Sequence, residues 1–175
     1  HSYLTDTLKS KYNILIHDVR GHGKSKGARG DVESFLDLEK DLGAWVSYIN
    51  KNRPNDKISL FGHSMGGLIT LGVLSSNSFD FQLESIFVSA PALGVGDPLG
   101  KIIQKILKVG TLKTLGKFLR KIKLKGSVNA QMLSHDTNIQ KKYCTDDKML
   151  EKLSVRLLLA LLARGLEVEQ LSIPK

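Results

Sequence analysis

The pentapeptide Gly62-His63-Ser64-Met65-Gly66 constrains this chain more than any other stretch. It matches the pattern G-x-S-x-G, and its flanks fit a strand-to-helix junction. Lys57 to Phe61 (KISLF) reads as a short buried strand, and Leu68 to Leu74 as an apolar helix. A serine lifted above a sheet at such a junction sits on a very sharp turn with a strained backbone. Side chains two residues before and after it are expected to collide across the turn, which predicts a need for glycine at Gly62 and Gly66. Gly67 lets the helix approach neighbouring strands. Because the helix starts directly behind the serine, the Met65 N–H points toward developing negative charge. Ser64 is therefore the candidate nucleophile and Met65 a backbone oxyanion donor. His63 cannot swing back to serve its neighbour and reads as packing or hydrogen bonding around the turn.

The surrounding pattern predicts an α/β fold. Tyr12 to His17 (YNILIH) is an apolar run without helical period, expected as a strand buried on both faces of a parallel sheet. DVRGHGKSKGARGD follows, and its four glycines make it a loop. Ser34 and Asp37 have the spacing of a capping box. Behind them Phe35, Leu38, Leu42, Trp45, Val46 and Ile49 form one helical face, with Asp37, Lys40, Asp41 and Ser47 turned away; Pro54 and Asn55 end the helix. Leu83 to Ser89 is a third strand, closed by Ala90-Pro91. Strand, helix, strand, helix, strand with short connections implies a mostly parallel sheet flanked by helices. With 175 residues, 41% of them hydrophobic, the chain can bury one core.

From Asp97 the pattern becomes helical. Leu99, Ile102, Ile103, Ile106 and Leu107 make one apolar face; Leu112, Leu115, Phe118, Leu119 and Ile122 make another. Further helices are expected around Asn138 to Tyr143 and Lys148 to Gly165. The expected organisation is a core over residues 1–96, a helical cap or lid over 97–166, and the start of a returning core strand over 167–175, near Ile173. The charge is uneven in the same way. Lys101, Lys105, Lys108, Lys113, Lys117, Arg120, Lys121, Lys123 and Lys125 lie between Pro98 and Lys125 without an acid, and these nine account for the whole net charge of +9. A neutral body with one basic segment is not a general nucleic-acid binder, and one aromatic, Phe118, gives no stacking platform. Amphipathic basic helices read instead as a contact with an anionic membrane, through Lys101, Lys105, Lys108, Lys113, Lys117, Arg120 and Lys121, each worth roughly 1 kcal/mol at an anionic leaflet. The alternative is a solvated helix face over the site. The longest apolar run, Val155 to Ala163, is broken by Arg156 and too short to cross a bilayer. Cys144 is the only cysteine, so no intrachain disulfide forms; a cytoplasmic, membrane-peripheral location is expected.

DVRGHGKSKG, then LFGHSMGG, then SAPAL resemble the monoacylglycerol lipase and lysophospholipase group of α/β-hydrolases, also described as serine aminopeptidase-like hydrolases. The likeness is strongest from Tyr12 to Leu93. It continues loosely through LSHD (Leu133 to Asp136), YCTDD (Tyr143 to Asp147) and the terminal IPK. It implies an α/β-hydrolase fold with Ser64 as nucleophile, the Met65 N–H as one oxyanion donor, and the Gly21-His22-Gly23 loop near the rim without a chemical role. It implies no metal and no organic cofactor. It also places the second oxyanion loop ahead of His1, and the triad acid and histidine beyond Lys175, so the chain is expected to be cut at both ends and nearly inert alone. An internal triad would need His135, the only histidine after Ser64, with Asp80 or Asp97 before it; His17 and His22 come in the wrong order for this fold. The expected function is hydrolysis of carboxylic esters of single-chain lipids (monoacylglycerols or lysophospholipids) through an acyl-enzyme on Ser64. Thioesterase, acyltransferase and peptidase activities share the same turn. The rival is a truncated or degenerate hydrolase that only binds lipid or a membrane surface.

Overall fold

A computed structural model describes residues 2–75, 83–94, 108–125, 135–145, 150 and 152–170. In chain order the elements are α1 (Ser2–Leu8), α2 (Phe35–Asn52), β1 (Ser59–His63), α3 (Met65–Leu74), β2 (Ser85–Ser89), α4 (Val109–Phe118), β3 (Lys123–Lys125), α5 (Thr137–Thr145), β4 (Lys152–Ser154) and α6 (Val155–Glu169). β1 and β2 pair in parallel, Ser59 opposite Ser85 through His63 opposite Ser89. This is the βαβ unit that the motif's flanks predict, with both strands beginning two residues later than the apolar pattern suggested.

The long helix α2 starts where its cap predicts. The Ser34 hydroxyl accepts from the Leu36 N–H at 3.3 Å, and the Asp37 carboxylate accepts from the Ser34 N–H at 3.2 Å. Its apolar face and α3, apolar all round, meet in one core of Val32, Phe35, Leu38, Leu68, Ile69, Leu71, Leu157 and Val168. Two of these, Leu157 and Val168, come from α6, which packs against α2, α3 and α4. The expected cap boundary at residue 166 thus falls inside a helix that shares the core of the first half.

Three expectations are corrected. Tyr12 to His17 is not a strand: no described residue pairs with it, and Tyr12, Ile14, Leu15 and Ile16 are exposed. A run without periodicity becomes a strand only when a neighbour supplies the other half of the ladder, and local sequence cannot supply it. The region after Asp97 is not purely helical either. β3 and β4 form a two-stranded antiparallel sheet, Leu124 opposite Leu153, and the helix expected from Lys148 starts only at Val155. Lys-Leu-Lys alternates with period two, and the Ser154 N–H, donating 2.8 Å to the Gly30 carbonyl, ties this sheet to the glycine loop. Trp45, expected on the apolar face of α2, is exposed between His17 and Tyr48, while Glu39 is buried in its stead. The expected helix over Leu99 to Leu107, with Lys101 and Lys105, lies outside the described residues, as do Asp80, Asp97, Leu133, Ser134 and the strand near Ile173.

Candidate active site

Ser64 stands alone between β1 and α3. Its φ of 53° and ψ of −120° place it in a region that side-chain-bearing residues rarely occupy. Three backbone bonds hold it there. Its N–H donates to the Ser89 carbonyl at 3.0 Å, and its own carbonyl accepts from the Leu68 N–H and the Ala92 N–H, each at 3.1 Å. The turn is thus built from two separated sequence segments, the G-x-S-x-G run and the Ser89 to Ala92 turn. The latter has a positive φ of its own, 43° at Ala90. Neither the Ala90 conformation nor the Ala92 bond was foreseen; Ala90-Pro91 directly after a strand was the only sequence signal there.

The glycines divide unequally. A Cβ on Gly62 would lie 2.6 Å from the Gly66 carbonyl oxygen and 2.6 Å from Thr70 Oγ1, and one on Gly67 would lie 3.0 Å from Val88 Cγ1 and 3.1 Å from Pro91. A Cβ on Gly66 meets nothing within 4 Å. The expected clash at Gly66 is therefore corrected: already inside the first turn of α3, its Cβ direction points away from β1.

The Ser64 side chain is exposed, and no described residue hydrogen-bonds to its Oγ. Met65, the first residue of α3, leaves its N–H without an acceptor inside the helix, as the first turn of any helix does. His63 Nδ1 lies 3.3 Å from Ser89 Oγ, a bond around the turn as expected. The other described histidines are engaged elsewhere or exposed: His17 against Trp45, with ring centres 6.3 Å apart, His22 with Nδ1 3.0 Å from the Arg20 carbonyl, and His135 on the surface. The structure does not bring any of them to Ser64. The glycine loop is held by its own contacts: Asp18 accepts from the Lys24 N–H at 2.8 Å, and Arg20 forms a bidentate pair with Asp41 of α2, at 2.6 and 2.8 Å. Among the described residues no cluster of metal-ligating side chains occurs.

Below the turn lies a polar cluster that periodicity did not foresee. Glu39 of α2, 1% exposed, accepts from Arg164 of α6 at 2.6 and 3.1 Å. Arg164 also donates to the Gly72 carbonyl near the end of α3 at 3.2 Å. A Cβ at Gly72 would lie 2.0 Å from Glu39 Oε1, so glycine there makes room for the pair. Burial pushes the Glu39 carboxyl above its ordinary value, against the pull of Arg164. A second pair, Arg156 with Asp31, anchors the start of α6. Burial alone would raise the Asp31 carboxyl, but hydrogen bonds from Arg156 and Ser154 outweigh it and hold it below its ordinary range.

A parallel strand pair, a strained serine at its carboxyl edge and an apolar helix starting behind that serine define an α/β-hydrolase. The chain belongs to the family described as serine aminopeptidase, S33 (Hydrolase_4), whose model matches residues 2–172. It is 27% identical over 148 residues to the phospholipase YtpA of Bacillus subtilis, covering 84% of this chain and 54% of that one. It is 29% identical over 133 residues to the monoglyceride lipase of Rattus norvegicus, covering 76% and 42%. The fold resembles the monoacylglycerol lipase of Paleococcus ferrophilus, with a TM-score of 0.76 at 23% identity over 96% of this chain and 61% of that one. The chain spans about half the length of the curated relatives it matches.

Proposed function

We propose that this chain carries the nucleophile half of a serine hydrolase that cleaves carboxylic esters of single-chain lipids, monoacylglycerols or lysophospholipids. One observation carries the reading: Ser64 is exposed in a left-handed conformation held by bonds from two segments. Such strain persists only where the surroundings over-determine it, and it clusters at functional sites. Ser64 Oγ attacks the acyl carbonyl as a base takes its proton, and the tetrahedral oxyanion accepts from the Met65 N–H. Collapse breaks the ester C–O bond and expels the alcohol, which takes up that proton, and water then cleaves the acyl-serine ester to release the fatty acid and restore Ser64. The lipid substrate class is supported by the phospholipase and monoglyceride lipases among the relatives. The base that takes the Ser64 proton and its orienting acid belong, in this reading, to residues other than those described.

Reaction with a fluorophosphonate probe followed by peptide mass spectrometry tests the nucleophile. In the protein as its gene encodes it, the adduct is expected on Ser64 and absent from Ser64→Ala. Label that survives this substitution overturns the assignment.

A second reading, a remnant that binds lipid without turnover, draws on the absence of a described partner for Ser64 Oγ. Disabling a triad commonly removes several orders of magnitude of rate. The genomic sequence flanking the coding region separates the two. An upstream His-Gly loop with a downstream Gly-x-x-Asp and a later histidine supports the enzyme, whereas in-frame stops at both edges support the remnant. Peripheral contact of the basic segment with an anionic membrane belongs to either reading. Among the described residues no helix is long and apolar enough to cross a bilayer.

A further inference from the structure

Gly165 stands in the interior of α6 and is buried. A glycine inside a helix weakens it, so one that stands there has a reason in packing. The reason here is the backbone of Leu93. A Cβ at Gly165 would overlap the Leu93 carbonyl oxygen, and would lie 2.8 Å from the Leu93 carbonyl carbon and 3.1 Å from its Cα. Leu93 ends the turn that follows β2 and holds Ser64. Its N–H donates to the Pro91 carbonyl at 2.8 Å, and the Ala92 N–H between them donates to the Ser64 carbonyl at 3.1 Å. Gly67 of α3 admits the same turn: its Cβ would lie 3.1 Å from Pro91 Cα. Two helices therefore reach this turn through glycines. Arg164, beside Gly165, seats α6 there. It pairs with Glu39 of α2, and its Nη2 donates to the Gly72 carbonyl at 3.2 Å and to Ser75 Oγ at 3.3 Å.

A contact between helix and bare backbone cannot be relieved by a change of rotamer. A methyl on Gly165 reaches ordinary van der Waals separation only if Leu93 moves back by about 1 Å. The turn is short and closed on itself, so Ala92 moves with it. A bond of 3.1 Å stretched by that much is no longer a hydrogen bond. Ser64 then keeps two of its three backbone bonds, and a left-handed residue persists only where its surroundings over-determine it. A reacting group misplaced by about 1 Å loses about a hundredfold in rate.

We propose that Gly165 of α6 is a positioning residue for the nucleophile: it lets α6 back the Ser89 to Leu93 turn, whose Ala92 N–H holds Ser64 in its left-handed conformation. The effect on catalysis rests on the reading of Ser64 as nucleophile. The effect on the Ala92 amide does not, so the two fail separately.

Amide exchange followed by nuclear magnetic resonance, with fluorophosphonate labelling beside it, tests this in the protein as its gene encodes it. In the parent the Ala92 amide is expected to exchange slowly; exchange there as fast as in an open loop overturns the proposal. Gly165→Ala is expected to speed Ala92 exchange and to slow labelling of Ser64 about a hundredfold. On a p-nitrophenyl ester kcat is expected to fall by the same factor while KM stays within about twofold, the mark of an interaction used only in the transition state. Val46→Ala, a cavity in the buried side of α2, is the control for lost stability. It is expected to lower the denaturation midpoint and leave Ala92 exchange, labelling and kcat at parental values. A folded Gly165→Ala with parental exchange and labelling overturns the proposal, as does an equal loss in Val46→Ala. Should Gly165→Ala not fold, Arg164→Lys decides: it keeps the buried charge paired but gives up the two-point seat of α6. Faster Ala92 exchange and slower labelling in that variant support the proposal, and parental values overturn it. A parent that takes no label on Ser64 overturns the nucleophile reading alone, and the Ala92 amide then decides the positioning.

Discussion

Ser64 and its glycines show how far a single residue's environment can be pressed. A left-handed conformation at a residue with a Cβ costs about 1–3 kcal/mol. Ser64→Gly removes that strain, and the variant is expected to be about 1 kcal/mol more stable to chemical denaturation while losing all fluorophosphonate label. A Ser64→Gly variant less stable than the parent would mean that the turn is not strained. Gly62 and Gly66 look equivalent in the motif, yet only the first is hemmed in. Gly62→Ala drives a methyl into the Gly66 carbonyl and Thr70 Oγ1 and is expected to cost about 1–3 kcal/mol. Gly66→Ala meets open space and is expected to stay within about 0.5 kcal/mol of the parent. Denaturant midpoints of the two variants decide the matter. The motif announced the turn, but the inequality of its glycines was invisible, because it depends on where the following helix points each Cβ.

Between elements, buried charge ties α6 to the rest. The Glu39–Arg164 pair joins α2 to α6 across the end of α3. Arg164→Met leaves a carboxylate buried without its partner and is expected to cost about 3–5 kcal/mol, whereas Glu39→Leu with Arg164→Leu is expected to cost clearly less, since no charge is then stranded. The two buried carboxylates also give opposite acid responses. Glu39 ionises above its ordinary value of 4.5 when folded, so its contribution to stability improves as pH falls through that raised pKa and is complete below 4.5. Asp31 ionises below its ordinary 3.8, so the stability it contributes is present above 3.8 and lost as pH falls through its folded value. Asp31→Asn is therefore expected to flatten the acid limb below 3.8, and Glu39→Gln to remove the gain on acidification above 4.5. Denaturation midpoints across that range check both signs. Helical periodicity located α2 and its capped start, but it assigned Glu39 no place: a charged residue beside an apolar stripe reads as solvated until a partner from a distant helix is known.

At the scale of the molecule, the described residues cover the β1–β2 sheet on one side only. Gly62 and Val88 face α3, so their register neighbours Phe61 and Phe87, directly opposite each other, lie on the other face, 54% and 58% exposed. Parallel sheets are normally buried on both faces. The two rings leave apolar surface that water disfavours, and Ile14, Leu15 and Ile16 are exposed as well. This chain by itself is expected to self-associate, and the double variant Phe61→Ser, Phe87→Ser to shift the population toward monomer. Light scattering after size exclusion tests this, and an equally monomeric parent would contradict it.

What the sequence determined by itself was local: a strand-to-helix turn around Ser64, a capped amphipathic α2, an apolar α3, and a block of positive charge. Each rests on spacing within a few residues, where backbone geometry is set by immediate neighbours. What only the tertiary structure decided was pairing. Tyr12 to His17 has a strand's composition and no ladder among the described residues, Leu124 and Leu153 lie far apart in sequence and face each other in β3 and β4, and α6 shares the core of α2 and α3. Hydrogen-bond ladders and core packing join residues many positions apart, and which partners meet is a property of the folded whole.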